Sequence, residues 1–176
     1  GLTELIRRER RVPAGTGHII MKMNSLVDAD MIDELYAASA DGVKVDLIVR
    51  GICCLRAQVP GLSDNIRVRS IVGRYLEHSR IYRFANGNGT GNPVHFMGSA
   101  DLMPRNLDRR VEAMVPVEDE QLRQRIDEIL AVSLADDSLA WTLTDDTWER
   151  VDRSGTLETH LELQQQALKR AAVDLR

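Results

Sequence analysis

The sequence predicts an α/β fold in which helices flank a mixed β-sheet. Strand and helix signals alternate along the chain. Residues 18–49 read as strand, helix and strand, a unit that favours parallel pairing with a right-handed crossover. Residues 80–85 and 94–97 flank a Gly- and Asn-rich stretch as the two arms of an antiparallel hairpin. The length, 176 residues with 43% apolar side chains, suits one domain with a small appendage.

Residues 18–24, from His18 to Asn24, form the first strand. Ser25 and Asp28 supply a cap, and Met31, Ile32, Leu35, Tyr36 and Ala38 recur at helical spacing up to Asp41, where Gly42 closes the helix. Residues 43–49, rich in β-branched side chains, give the second strand. Pro60 and Gly61 mark the turn of a loop over 51–65. In the strand 66–72, Ile66, Val68, Ser70 and Val72 share one side, while Arg67, Arg69 and Ile71 share the other. A last strand is expected at 111–117. Asp119 then caps a helix with Leu122, Ile126, Ile129 and Leu130 on one stripe. Trp141 and Trp148 lie in an acidic, turn-rich segment expected to be a small surface extension. Residues 157–172 form a closing helix whose thin apolar stripe, Leu161, Leu168 and Ala172, needs a partner surface.

Charge is unevenly spread. The net charge is −4, yet residues 50–110 hold ten Arg and no Lys against four acids, a local +6, while residues 111–176 carry −8. Guanidinium groups suit bidentate recognition of phosphate or carboxylate, so an anionic substrate is expected. No run approaches the about 20 consecutive apolar residues of a membrane-spanning helix. The first residues, GLTELIRRERR, lack the apolar core of a secretory signal. The chain opens on Gly1 rather than Met and is expected to be a piece of a longer protein. Cys53 and Cys54 are adjacent, where a mutual bridge is strained, and have no further ligands for a zinc site. They read as small apolar residues in a reducing cytoplasm.

Gly87, Gly89 and Gly91 are followed by neither Lys-Ser/Thr nor a helix, so residues 86–93 are a hairpin tip rather than a phosphate-cradling loop. His18, His95 and His160 have no supporting constellation and read as strand or surface residues. His78 differs, because it stands between Glu77 and Arg80 in the arginine-rich region. Gly98, Ser99 and Asp101 follow twenty residues later, then Asn106, Arg109, Arg110 and Glu112. A histidine beside a cation and a hydroxyl donor is a phosphate-handling pattern. Arg80, Ser99, Asn106 and Arg109 are candidates for contacting phosphoryl oxygens, and Arg67 and Arg69 for lining the path of a long phosphate chain. The order His78-x-Arg80, Gly98-Ser99, Asn106 resembles the phospholipase D superfamily pattern His-x-Lys, Gly-Ser-x-Asn, with Arg80 in place of lysine.

Longer stretches add a closer resemblance. Residues 21–28 (MKMNSLVD), 47–53 (LIVRGIC), 66–82 (IRVRSIVGRYLEHSRIY) and 98–112 (GSADLMPRNLDRRVE) are similar to polyphosphate kinase of the long, multidomain bacterial type, over residues 1 to about 140. The resemblance implies a phospholipase D-like fold. Residues 1–140 would be the second of two such catalytic domains and residues 141–176 a C-terminal extension ending in a helix. It also implies reversible transfer of the terminal phosphate of ATP to inorganic polyphosphate, through a phosphohistidine upstream of this chain. His78 matches the second active-site histidine, implicated in nucleotide binding and proton transfer, and Arg50, in Val49-Arg50-Gly51, matches an ATP-binding arginine. Magnesium is implied, with its ligands upstream. The implied partners are ATP or ADP, polyphosphate, the upstream domains and further copies in a homo-oligomer, with no nucleic acid and at most peripheral membrane association. The chain alone is expected to be inactive.

Two other classes fit parts of the pattern. A phospholipase D-type phosphodiesterase or nuclease pairs two His-x-Lys motifs, so a single His-x-Arg would require a dimer. A non-catalytic polyanion-binding or assembly module needs only the arginines.

Overall fold

The computed structural model describes residues 1–87, 92–152 and 155–174. Eight strands form one sheet: β1 (His18–Met23), β2 (Lys44–Val49), β3 (Ile66–Ile71), β4 (Arg80–Phe84), β5 (Val94–Gly98), β6 (Met114–Pro116), β7 (Ala140–Thr144) and β8 (Thr147–Arg150). Their order across the sheet is β6-β5-β4-β1-β2-β3-β7-β8. β1, β2 and β3 run parallel and every other neighbour is antiparallel, so the sheet is mixed, as predicted. Five helices accompany it: α1 (Leu2–Glu9), α2 (Ala29–Ala40), α3 (Pro104–Asp108), α4 (Glu120–Ala135) and α5 (Thr159–Asp174).

The alternation of each strand decides which layer it feeds. Ile19, Met21 and Met23 of β1, Val45, Leu47 and Val49 of β2, and Ile66 and Val68 of β3 pack with Leu2 and Ile6 of α1 and with Ile32 and Leu35 of α2. Ile20, Ile48, Ile71 and Ile81 point the other way, onto Ile126 and Leu130 of α4. The two faces therefore make two cores, with helices outside both. Asp28 caps α2 by accepting the Met31 N–H at 3.0 Å, and Gly42 leaves the helix at φ +81°. Asp119 caps α4 through the Leu122 N–H at 2.9 Å.

Several elements differ from expectation. α1 was not anticipated, because its charged residues hide the spacing of Leu2, Ile6 and Glu9, all three buried. Glu9 is buried because its carboxylate accepts the backbone N–H groups of His18 and Asn86, both at 2.9 Å. The strand expected over 111–117 shrinks to Met114–Pro116, and residues 109–113, after the short helix α3, are neither helix nor strand. The acidic segment with Trp141 and Trp148 forms β7 and β8, and β7 pairs with β3 along Val68–Ile71. Its burial is carried by Ala140 and Leu143, two small signals in a polar context. α5 docks through polar residues. Thr159 and His160 are buried, while Leu161 and Leu168 of the expected apolar stripe remain 50% and 64% exposed. The hairpin between β4 and β5 is present, and residues 88–91 of its expected tip lie outside the described residues.

Candidate phosphate-handling site

The carboxyl ends of the parallel strands, where ligands of open α/β sheets characteristically bind, gather the candidate residues on one rim. Asn24 follows β1 and Arg50 follows β2. Because β4 runs antiparallel to β1, its first residue, Arg80, arrives at the same rim, as does Ser99 at the end of β5. Three crossing segments are laced together there by backbone bonds. Leu26 N–H donates to Ile52 O at 2.9 Å, Leu102 N–H to Ser25 O at 3.1 Å, and Gly51 N–H to Asn24 O at 2.8 Å. Gly51 permits the last approach, since a Cβ there would lie 3.0 Å from the Asn24 oxygen.

Asp101 is the centre of the rim. Its Oδ1 accepts the Asn24 N–H at 2.8 Å, and its two oxygens receive the Arg80 guanidinium at 3.3 and 3.0 Å. Burial pushes the Asp101 carboxyl up, but the Arg80 guanidinium and the Asn24 amides outweigh it and hold the group below the ordinary carboxylate range. Arg80, only 13% exposed in its side chain, is thus largely neutralised. Its remaining nitrogen, Nη1, donates to His78 O at 3.0 Å and lies 3.0 Å from His78 Nδ1. The same nitrogen lies 3.4 Å from His78 Nε2, so the guanidinium sits against the ring and fixes where it lies. The His78 ring is exposed.

Arg50 is held differently. Its Nε donates to Asn24 Oδ1 at 2.9 Å, a neutral partner, and no carboxylate pairs with it among the described residues. Its charge therefore stays available to an anion. Beside it lies an open depression lined by Arg50 and residues 71–77, where the Arg74 guanidinium sits 5.4 Å from the centre of the Tyr75 ring.

Ser99 and Asn106 converge on a second carboxylate. The Ser99 hydroxyl and the Asn106 amide, the latter at 2.6 Å, both donate to Glu112, and these hydrogen bonds, Ser99 first, lower its pKa. Ser99 Oγ also accepts the Ala113 N–H at 3.1 Å. Asn106 is buried and its Oδ1 has no partner among the described residues. Arg109, exposed just after α3, has no ion-pair partner among the described residues.

Arg67 and Arg69 are not brought to this rim. Arg67 pairs with Asp46 in register near the opposite end of the sheet, and Arg69 donates from Nη1 to the carbonyls of Ser133 and Asp136 at 3.2 and 3.3 Å. Burial lowers the Arg69 pKa, with Asp136 and Asp46 opposing that shift. The structure brings together His78, Arg80 and Arg50, with Ser99 and Asn106 beside them on Glu112.

Sequence reasoning passed over Asn24, Asp101 and Glu112. The signal for Asp101 lay in the spacing, because the position two residues after Ser99, where Gly-Ser-x-Asn carries Asn, is Asp101. Lysine to Arg80 and asparagine to Asp101 are thus paired departures that form one ion pair. The other three histidines also gain carboxylates: His18 with Asp46, His95 with Asp127 and His160 with Glu77, at 2.7, 2.8 and 2.7 Å. Only folding brings these partners close, since each is separated by 28 or more residues in sequence. Among the described residues, no three of His, Cys, Asp and Glu assemble into a set that fits a metal ion such as magnesium.

The sequence profile of "Polyphosphate kinase C-terminal domain 2" matches residues 1–164. The chain is 54% identical over 154 residues to Polyphosphate kinase 1 of Chlorobaculum tepidum, covering 85% of this chain and 22% of that protein. The chain therefore spans about a fifth of that relative's length. The crystal structure of polyphosphate kinase from Porphyromonas gingivalis superposes with a TM-score of 0.87 at 37% identity, covering 98% of this chain and 27% of that one. Nuc from Salmonella typhimurium, a phospholipase D family member, shares the fold with a TM-score of 0.52 at 15% identity, over 76% of this chain and 86% of its own.

Proposed function

This chain belongs to the polyphosphate kinase family as its C-terminal domain 2, with a phospholipase D-like fold, and from that premise we propose that it forms one wall of a site that moves the terminal phosphate of ATP reversibly onto inorganic polyphosphate. The reaction passes through a phosphohistidine outside this chain. A histidine nitrogen there attacks the γ-phosphorus, the bond to the β–γ bridging oxygen breaks, and ADP leaves. A terminal oxygen of polyphosphate then takes the phosphoryl group as the N–P bond breaks. His78 faces the transferred group as hydrogen-bond donor and proton carrier, and Arg50 binds the nucleotide phosphates. Arg109 and the Ser99–Asn106–Glu112 cluster flank the path, and magnesium is bound by residues outside this chain.

The observation that carries the reading is the division of labour between two arginines. Arg80 is tied to Asp101 and orients His78, while Arg50 is fixed by the neutral Asn24 and keeps its charge for a ligand. Phosphoryl transfer needs both, a positioned proton carrier and uncompensated positive charge. The test is His78→Ala in the complete enzyme, following incorporation of γ-labelled ATP into polyphosphate. The expected loss is about 10²–10⁴-fold in kcat. A rate within about threefold of wild type, well short of that range, would overturn the assignment. Hydrolysis of bis(p-nitrophenyl) phosphate in place of polyphosphate synthesis would point instead to phosphodiesterase chemistry.

A further inference from the structure

We propose that His160, in the first turn of α5, is a positioning residue for His78, acting through Glu77; this rests on the role given to His78 above. The segment between β3 and β4, residues 72–79, is neither helix nor strand. Its path is set by what grips it from outside. The Lys22 ammonium, only 3% exposed beneath it, donates to Glu77 Oε2. His160 Nε2 donates to Glu77 Oε1 at 2.7 Å, and His160 Nδ1 accepts the Tyr75 N–H at 3.1 Å. The backbone N–H can only donate, so Nδ1 carries the lone pair and Nε2 the proton. One imidazole, 4% exposed, therefore bonds two residues of the segment in a single defined tautomer. The segment lies close upon it: a Cβ on Gly73 would sit 2.7 Å from His160 Nδ1.

α5 is itself anchored. Asp136 Oδ2 accepts the Thr159 N–H at 2.7 Å, and Asp136 Oδ1 accepts the N–H groups of Ser138, Leu139 and Ala140 at 3.0, 2.6 and 3.0 Å. A rigid chain of contacts thus runs from the α4–β7 junction through His160 to Glu77. His78 is the next residue. On its other side the ring and carbonyl are held by Arg80. Without the His160 contacts Glu77 retains only the Lys22 bond, and the backbone before His78 loses its second hold. Misplacement of a reacting group by about 1 Å can cost about 10²-fold in rate.

The experiment uses the complete enzyme and separates the two bonds of the imidazole. His160→Gln places an amide N–H where Nε2 donates to Glu77. His160→Asn places its oxygen where Nδ1 accepts from Tyr75 and loses the Glu77 bond. The expected result is a kcat within about threefold of wild type for Gln and a fall of about tenfold or more for Asn, with little change in the KM for ATP. Thermal midpoints of the two variants should agree within about 2 °C. Combining His160→Asn with His78→Ala should leave the rate of His78→Ala unchanged, because the first acts only through the second. Equal rates for Gln and Asn, or a double variant slower than His78→Ala by the full His160→Asn factor, would overturn the proposal while leaving His78 in its role. A His78→Ala enzyme at wild-type rate would instead remove the role on which the proposal rests.

Discussion

At Asp101 one carboxylate serves both the backbone after β1 and the guanidinium beside His78. Asp101→Asn keeps an acceptor for the Asn24 N–H but leaves the enclosed Arg80 charge without its counterion. The expected cost is about 1.5–3 kcal/mol, the size of a hydrogen bond to a charged group. Acid should reproduce part of this loss. For Asp101, Asp46 and Asp136 burial works against ionisation and is outweighed by hydrogen bonds, from Arg80 and Asn24, from His18 and Lys44, and from Thr159, Leu139 and Ser138 respectively. Their folded pKa values lie below the unfolded ones, so the stabilisation is complete above about pH 4 and is lost as pH falls through the folded values. Urea unfolding across acidic pH should therefore show a shallower decline for Asp101→Asn than for wild type. At this scale the sequence held more than was read from it. The pattern spacing pointed at Asp101, whereas Asn24 and Glu112 could be recognised only once β1, β5 and α3 had converged.

Among the elements, the junction between α4 and β7 depends on a single side chain. Asp136 gathers three consecutive N–H groups and the start of α5, and it is nearly inaccessible to solvent. Asp136→Ala should destabilise the domain by about 3 kcal/mol, as expected when a buried hydrogen-bonded carboxylate is removed. Asp136→Asn, which keeps an acceptor, should cost less. The readout is the urea midpoint at constant slope. The elements with strong periodicity or caps, β1 to β5, α2 and α4, were legible because local signals and tertiary burial agree there. α5 was legible as a helix but not in its mode of docking. Its apolar stripe suggested a greasy contact, and the contact is polar, made by Thr159 and His160. β7 was missed because its burial comes from pairing with β3, about 70 residues earlier in the chain.

Over the whole molecule, the positive region of residues 50–110 is only partly self-compensated. Of its ten arginines, Arg56, Arg80 and Arg83 form ion pairs, and Arg50, Arg67, Arg74 and Arg109 have no carboxylate partner among the described residues. The chain by itself should bind polyphosphate despite its net charge of −4. Affinity should drop as salt rises, since exposed charges are screened over about 10 Å at 0.1 M. It should not acquire acid-labile label from γ-labelled ATP, because the phosphohistidine of the proposed reaction lies outside this chain. Fluorescence anisotropy of labelled polyphosphate across a salt series, with an autophosphorylation assay alongside, measures both. Strand order was the part least legible in advance, since β7 and β8 extend the sheet beyond β3 from the far side of α4. That order has a consequence at the borders of the sheet. One border is β6, three residues ending on Pro116, and the other is β8, four residues carrying Glu149 and Arg150. Proline offers no N–H to an incoming strand, and short charged borders recruit strands poorly. The molecule thus closes its own sheet against strand-by-strand growth, leaving its loops and helices, rather than its backbone edges, as the surfaces open to contact.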